Sequence, residues 1–465
     1  MSAKYEEIKE NIKKVYLTYN RPFVIGFSGG KDSSATLQLA WEAFDELPRH
    51  QLVKDIFVIT VDTLVETPYI VSYIDSTLEG INTAAKEKKL PIIGRKLTPK
   101  IDNTFWVNLI GRGYPAPSQQ FRWCTDRLKI DPVNRFIQEY VSKFGEATIV
   151  LGARIAESSS RSQVLAKKQR DALGLSLHTT LSGAFVFTPI ESLTDDDVWE
   201  YLLTNSKTPW GHNNRDLSAM YQNATSGECP LVVDKTTPTC GNSRFGCWTC
   251  TLVQKDTSME NLIDSGEEWM TPLMEFRDLL SSTQSVEKKS MYREYKRRDG
   301  KTRFVRDGSK LSSGPYKMKW RKEFLRILLN AQRSVQESGP NKEYTLISIE
   351  ELKIIRKLWK NEEYDWEDSV PRIYAEVMGE KFPFDYEDGI HFNGEDLKLL
   401  EVVCEKEDIQ VGMIAKLIDE ERKMAGMSRR AGIIREIDRV LSEEWRPIEE
   451  ILKTMDRNGI ENENQ

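Results

Sequence analysis

The sequence predicts an α/β fold: a mostly parallel sheet flanked by helices, followed by a mainly helical C-terminal extension. Two observations carry this. Short apolar runs rich in β-branched residues recur between helix-length segments, at "FVIGF" (23–27), "DIFVIT" (55–60), "PIIGRKL" (91–97), "TIVLGAR" (148–154) and "FVFTPI" (185–190). That alternation marks βα units. Towards the C-terminus the runs give way to helical periodicity, as in "SIEELKIIRKLW" and "IIREIDRVL".

A chain of 465 residues exceeds what one core usually supports. Three regions are expected: a sheet domain over 1–260 that includes a cysteine-rich segment at 229–250, a basic aromatic segment over 261–335, and a helical domain over 336–465. Hydrophobic residues make up 39% of the chain, enough for packed cores. No apolar run approaches the roughly 20 residues that span a bilayer, and the start "MSAKYEEIKE" has no signal-peptide core. A cytoplasmic protein without a membrane partner is the expectation. The net charge is only -6, so contact with nucleic acid needs a local basic patch.

The first apolar run ends in "VIGFSGGKDS" (24–33). A Walker A loop needs four residues between its first glycine and the Gly-Lys pair, then Ser or Thr. Here only three residues lie between Gly26 and Gly30, and Asp32 follows Lys31, so that motif is excluded. The physics of phosphate binding remains. Ser28, Gly29 and Gly30 permit close backbone approach, the next helix offers free N–H groups, and Lys31 supplies a point charge. "VDT" (61–63) and "GAR" (152–154) also fall at strand ends, so three segments are expected to meet at one crevice.

Six cysteines are too few for a disulfide framework in so long a chain, and four of them cluster. Cys229, Cys240, Cys247 and Cys250 make a four-thiolate set suited to zinc or to an iron–sulfur cluster, and spacing does not choose between them. Cys404, in "LLEVVC", reads as core. Residues 288–326 are basic and interleaved with Tyr, Phe and Trp, a composition that suits a phosphate backbone with some stacking, or equally a solvated linker. Ser348 and Glu351 have capping-box spacing, with Leu352, Ile355 and Trp359 on one helix face. Ile433, Ile437 and Val440 repeat that design.

"SGGKDS" resembles the PP-loop of the ATP pyrophosphatases, which have an adenine nucleotide alpha hydrolase-like fold. "FRWCTDRLKIDP" (121–132), "LGARIAESSSRS" (151–162) and "PIESLTDDDVWEYL" (189–202) are similar in order and spacing to the adenylyl-sulfate and phosphoadenylyl-sulfate (PAPS) reductase branch. The resemblance implies that Ser28, Gly29, Gly30, Lys31, Asp32 and Ser33 bind the phosphates of ATP with Mg²⁺. It sets Asp62, Thr63 and Gly152 in the nucleotide site, and Arg122, Lys129, Arg154 and Arg161 at anionic substrate groups. Lys31, Asp32, Arg122, Cys124 and Arg161 would be the catalytic residues.

"GCWTCT" resembles the cluster segment of the adenylyl-sulfate reductases, which implies a [4Fe–4S] cluster on Cys229, Cys240, Cys247 and Cys250. One departure matters. Those reductases carry adjacent cysteines where Trp123 here precedes a lone Cys124. Cys124 is then either a cluster ligand displacing Cys229 or Cys240, or a sulfur-carrying thiol, the role favoured here, with Arg122 and Arg127 expected to lower its pKa. The lone cysteine, the four-cysteine cluster and the long extension together resemble the DndC family, the sulfurtransferases of bacterial DNA phosphorothioation. Expected partners are therefore DNA, a cysteine desulfurase and other Dnd modification subunits. A sulfonucleotide reductase, a tRNA thiolation enzyme and a non-catalytic DNA-binding subunit are the alternatives.

Overall fold

In the computed structural model, residues 3–157, 170–224, 246–305, 311–383, 394–424 and 432–451 are described. The chain forms two compact units, one of Met1–Phe105 with Gln119–Arg277 and one of Trp106–Ser118 with Asp278–Gln465.

The first unit is built on a sheet of β1 (Phe23–Gly26), β2 (Ile56–Val61), β3 (Ile92–Leu97), β4 (Ala147–Val150), β5 (Ser176–Leu177) and β6 (Ala184–Phe187). Its order is β3-β2-β1-β4-β6-β5, parallel except for the β5–β6 pair. The five apolar runs are its parallel strands. Central strands read as unbroken apolar runs because both faces are covered. Phe23, Ile25, Ile56 and Val58 face a core shared with α1 (Ala3–Thr18), α2 (Lys31–Asp45) and α3 (Pro68–Lys88). Val24, Phe57 and Ile59 face Val133, Phe136 and Tyr140 of α4 (Asp131–Phe144). The period of two is what divides them.

The chain runs outward from β1 through β2 to β3 and then returns to β4 on the other side of β1. Ligands in such sheets bind at this reversal, outside the carboxyl ends of the strands. The segments after β1 and β4 therefore flank the crevice. Thr194 caps α5 (Asp195–Thr204) with a full capping box to Asp197, and α6 (Asn214–Ala224) follows.

The second unit is helical, with α7 (Met318–Ser338), α8 (Ile349–Glu362) and α9 (Ser369–Met378) packed together. Ser348 and Glu351 form both halves of the expected capping box, and Leu352, Ile355 and Trp359 are buried. Residues 107–111 belong to this unit: Ile110 O accepts from Trp359 Nε1 at 3.0 Å and from Arg321 Nε at 2.8 Å. Cys404 and Val440 are buried, as their apolar patterns predict. Among the described residues no helix is long and apolar enough to cross a membrane.

The basic aromatic segment differs from the stacking surface its composition suggests. Tyr292, Tyr316 and Phe324 are buried, and the Tyr292 and Trp320 rings lie 4.4 Å apart. Arg293 donates to the carbonyls of Ser313 and Gly314. These rings serve the core of the unit, while Lys288, Arg297, Arg298, Lys301 and Arg303 are exposed.

Candidate nucleotide and thiol site

The turn after β1 is shaped by glycine. Gly29 has φ +76°, where an L side chain is strained, and Gly30 is the N-cap of α2. Ser33 locks the turn from inside: its hydroxyl donates to Gly30 O at 2.8 Å and accepts from Ser28 N at 3.2 Å. Lys31 N–H, which has no acceptor within the helix in the first turn, donates to Tyr221 Oη of α6 at 3.1 Å.

Four charged groups line this turn. Lys31 Nζ lies 3.1 Å from Asp195 Oδ1, at the start of α5. Arg154 donates to the same Asp195 oxygen at 2.7 Å and, through Nε, to Asp32 Oδ1 at 2.6 Å. Only 3% of Arg154 is exposed. Burial pulls its pKa down, but Asp32 and Asp195 outweigh that and hold it above the ordinary arginine value. Gly152 makes the assembly possible: a Cβ there would lie 2.6 Å from Asp32 O. Ser28 to Ser33, Gly152 and Arg154 are thus brought together, as the motifs imply.

The loop after β2 has a double attachment. Asp62 Oδ1 accepts from Leu64 N at 2.8 Å, which holds Leu64 at φ 64°. Buried Thr63 donates to Glu66 Oε1 at 2.9 Å and lies 3.2 Å from Cys247 Sγ. Glu66 and Cys247 form an antiparallel bridge, and Trp248 N donates to Val65 O at 3.0 Å. The Cys-x-x-Cys turn closes with Cys250 N on Cys247 O at 3.0 Å.

Cys124 begins a π-helical turn, Thr125–Ile130, that leads into α4. Its neighbour Trp123 is buried and stacked on Phe105, with ring centroids 5.3 Å apart. The expected pKa depression is corrected here. Arg122 and Arg127 donate to Gln119 and Asn103, and burial with the nearby Cys250 pushes the Cys124 thiol up. Burial and Glu66 push the Cys247 thiol up more strongly. Lys129 sits 3.7 Å from Glu66 Oε1, and Cys247 foremost, then Glu66, Cys124 and Cys250, raise its pKa. Cys124, Cys247, Cys250 and Lys129 therefore feel one another's charge, and thiolates are soft donors of the kind zinc and iron–sulfur clusters take. Among the described residues, however, no group of three or more His, Cys, Asp or Glu side chains is placed so that it could hold a metal ion. Cys229, Cys240 and Arg161 lie outside the described residues.

Residues 22–253 match the phosphoadenosine phosphosulfate reductase domain. They form a PAPS reductase-like domain of the PP-loop superfamily. The uncharacterized protein MJ0066 of Methanocaldococcus jannaschii is 29% identical over 199 residues, covering 43% of this chain and 35% of that protein. MJ0973 of the same organism is 26% identical over 197 residues, covering 42% and 39%. The chain thus spans well under half the length of either relative. Among solved structures, the PAPS reductase from Candida auris in a phosphate complex has a TM-score of 0.28 at 14% identity, covering 45% of this chain and 82% of that one. The U34-tRNA thiolase NcsA from Methanococcus maripaludis with its [4Fe-4S] cluster has a TM-score of 0.28 at 13% identity, covering 61% and 80%.

Sequence reasoning missed several members of this site. Asp195 lies in a recognised motif, but nothing in the motif pairs it with Lys31. Glu66 and Tyr221 carry no motif at all. Tyr221 reaches Lys31 across a separation of 190 residues that only the fold closes.

Proposed function

We propose that this chain is an ATP-dependent sulfurtransferase that replaces a non-bridging oxygen of a DNA backbone phosphate by sulfur. One observation carries the reading: the loop Asp62–Glu66 runs from the carboxyl end of β2, beside the phosphate turn, and its Glu66 bridges Cys247. Nucleotide activation and thiol chemistry thus have a common wall.

The chemistry follows. A phosphate oxygen is a poor leaving group, so it attacks the α-phosphorus of ATP and pyrophosphate departs. Sulfide then attacks the DNA phosphorus, and the original oxygen leaves with AMP. Lys31 and the N–H groups of α2 would hold the triphosphate, and Arg154 keeps Asp32 and Asp195 oriented. Asp32 would contribute to a Mg²⁺ site. Cys229, Cys240, Cys247 and Cys250, or Cys124 in place of Cys229 or Cys240, would hold a [4Fe–4S] cluster, which when bound would supply soft Lewis-acid chemistry toward sulfur. The exposed cations between Lys288 and Arg303 suit a phosphate backbone. A cysteine desulfurase and companion Dnd subunits would complete the system.

Pyrophosphate release and the sulfur content of the acceptor test this. DNA should stimulate release, and digested DNA should contain phosphorothioate dinucleotides by mass spectrometry. Stimulation by tRNA alone or by a sulfonucleotide alone would replace DNA by that substrate. No ATP cleavage with any acceptor would refute the enzyme reading. Lys31→Ala should weaken ATP binding about tenfold or more, the loss of one charge-assisted contact.

A further inference from the structure

The segment after Cys250 is held by a side chain that no sequence motif marks. Arg277, on the helix Thr271–Ser282, is 1% exposed. Its Nε donates to Cys250 O at 3.0 Å, one Nη to Gln254 O at 2.8 Å, and the other to Val253 O. The preceding residue, Phe276, is equally buried and sets its ring 6.4 Å from that of Trp248, inside the Cys-x-x-Cys turn. Two neighbouring residues of one helix therefore grip both halves of the turn. Arg277 also lies beyond residue 253, where the PAPS reductase-like match ends.

We infer that Arg277 is the positioning residue of the thiol site: it fixes the carbonyl of Cys250 and so the direction in which the Cys250 sulfur points. The inference rests on the reading of this turn as a sulfur-handling, metal-binding site. A guanidinium presents five N–H donors in one rigid plane, so a single arginine satisfies three carbonyls that diverge from one turn. A lysine ammonium is a point charge on a flexible stem and matches that pattern poorly. Buried carbonyls left unpaired would drive the backbone to rearrange toward water, and the carbonyl of Cys250 is one of the three that would lose its partner. Groups that orient metal ligands typically contribute 10–100-fold in metal affinity, which sets the expected scale.

The test uses the full chain as Arg277→Lys and Arg277→Met, with Arg321→Met as control. Arg321 is likewise buried and likewise clamps carbonyls, those of Ile110 and Gly111, but in the helical unit. Two measurements are made. In reduced, metal-stripped protein, site-resolved mass spectrometry follows alkylation of Cys247 and Cys250. In protein reconstituted with iron and sulfide, or with zinc, metal loss to a chelator is followed. Both Arg277 variants should alkylate Cys250 about tenfold faster or more and release metal about 10–100-fold faster, Met more than Lys. Arg321→Met should lose stability and change neither. If Arg277→Met does not fold, Arg277→Lys decides. Unchanged alkylation in a folded Arg277 variant overturns the inference, as does an equal change in Arg321→Met. A wild type that binds neither metal refutes the metal reading alone, because the alkylation rates still report on Arg277.

Discussion

Gly152→Ala is the sharpest test of how the phosphate turn is built. The new Cβ would meet Asp32 O at 2.6 Å, Asp32 C at 2.8 Å and Thr36 Oγ1 at 2.8 Å. An ordinary contact is about 3.5 Å, so α2 and the end of β4 must separate by roughly 0.9 Å. None of these atoms yields easily. Asp32 O already accepts from Thr36 Oγ1 at 2.8 Å, and Asp32 is in the first turn of α2. Overpacking of this kind costs about 1–3 kcal/mol, read as a lower urea midpoint at unchanged slope. The same shift carries Lys31 and Asp32, and a misplacement near 1 Å costs on the order of 100-fold in rate. ATP affinity and pyrophosphate release should therefore both fall. Gly246→Ala is the matched control, since a Cβ there meets nothing within 4 Å. Wild-type stability and wild-type ATP affinity in Gly152→Ala would refute the close-approach argument.

Three further outcomes are expected. Arg154→Met leaves the carboxylates of Asp32 and Asp195 without their shared cation and should cost about 3–5 kcal/mol, checked by urea unfolding; a loss under about 1 kcal/mol would mean that water replaces the arginine freely. Asp195→Asn frees Lys31 from its carboxylate partner 3.1 Å away, so ATP should bind about three- to tenfold tighter, checked by calorimetry; weaker binding would show that Asp195 assists the nucleotide instead. Burial, aided by Arg21, pushes Lys54 down to about 8 from its ordinary 10.5. The unfolded chain then binds more protons between those values, so stability should rise as pH climbs from about 8 to about 10.5. Subtracting the melting curve of Lys54→Met isolates that slope, and a flat difference would contradict it.

The strands and the phosphate turn were legible because their signals are local. Five apolar runs became five parallel strands, and a Gly-Gly-Lys at the end of the first could only be a turn into a helix. The two-residue strand Ser176–Leu177 was not legible, being too short to carry a period. The partners of the turn were hidden for another reason. Asp195 and Tyr221 act through contacts closed only by tertiary structure, and Asp195 sits inside a run of three aspartates that local logic assigns to helix capping. Composition did not decide between the two readings at 288–326. It counts rings and charges but not which way they face, and Tyr292, Tyr316 and Phe324 face inward. The same limit applied to Cys124, where two sequence-adjacent arginines promised a lowered pKa but turn to Gln119 and Asn103.

The loop between Asp62 and Glu66 makes the crevice and the cysteine turn mechanically dependent on each other. Asp62 fixes Leu64 in the left-handed region, Val65 accepts from Trp248, and Glu66 bridges Cys247. Each attachment is short and most are buried, so the loop transmits displacement instead of absorbing it. On the proposed sulfurtransferase reading this matters, because an activated phosphate would be exposed to water until sulfur arrives, and a rigid wall common to both sites would keep the two reactants in register without a search. It follows that a substitution at Thr63 or Glu66 should be read at both ends, in nucleotide affinity and in the reactivity of Cys247. A change confined to one end would mean that the loop yields and that the two sites work as separate parts.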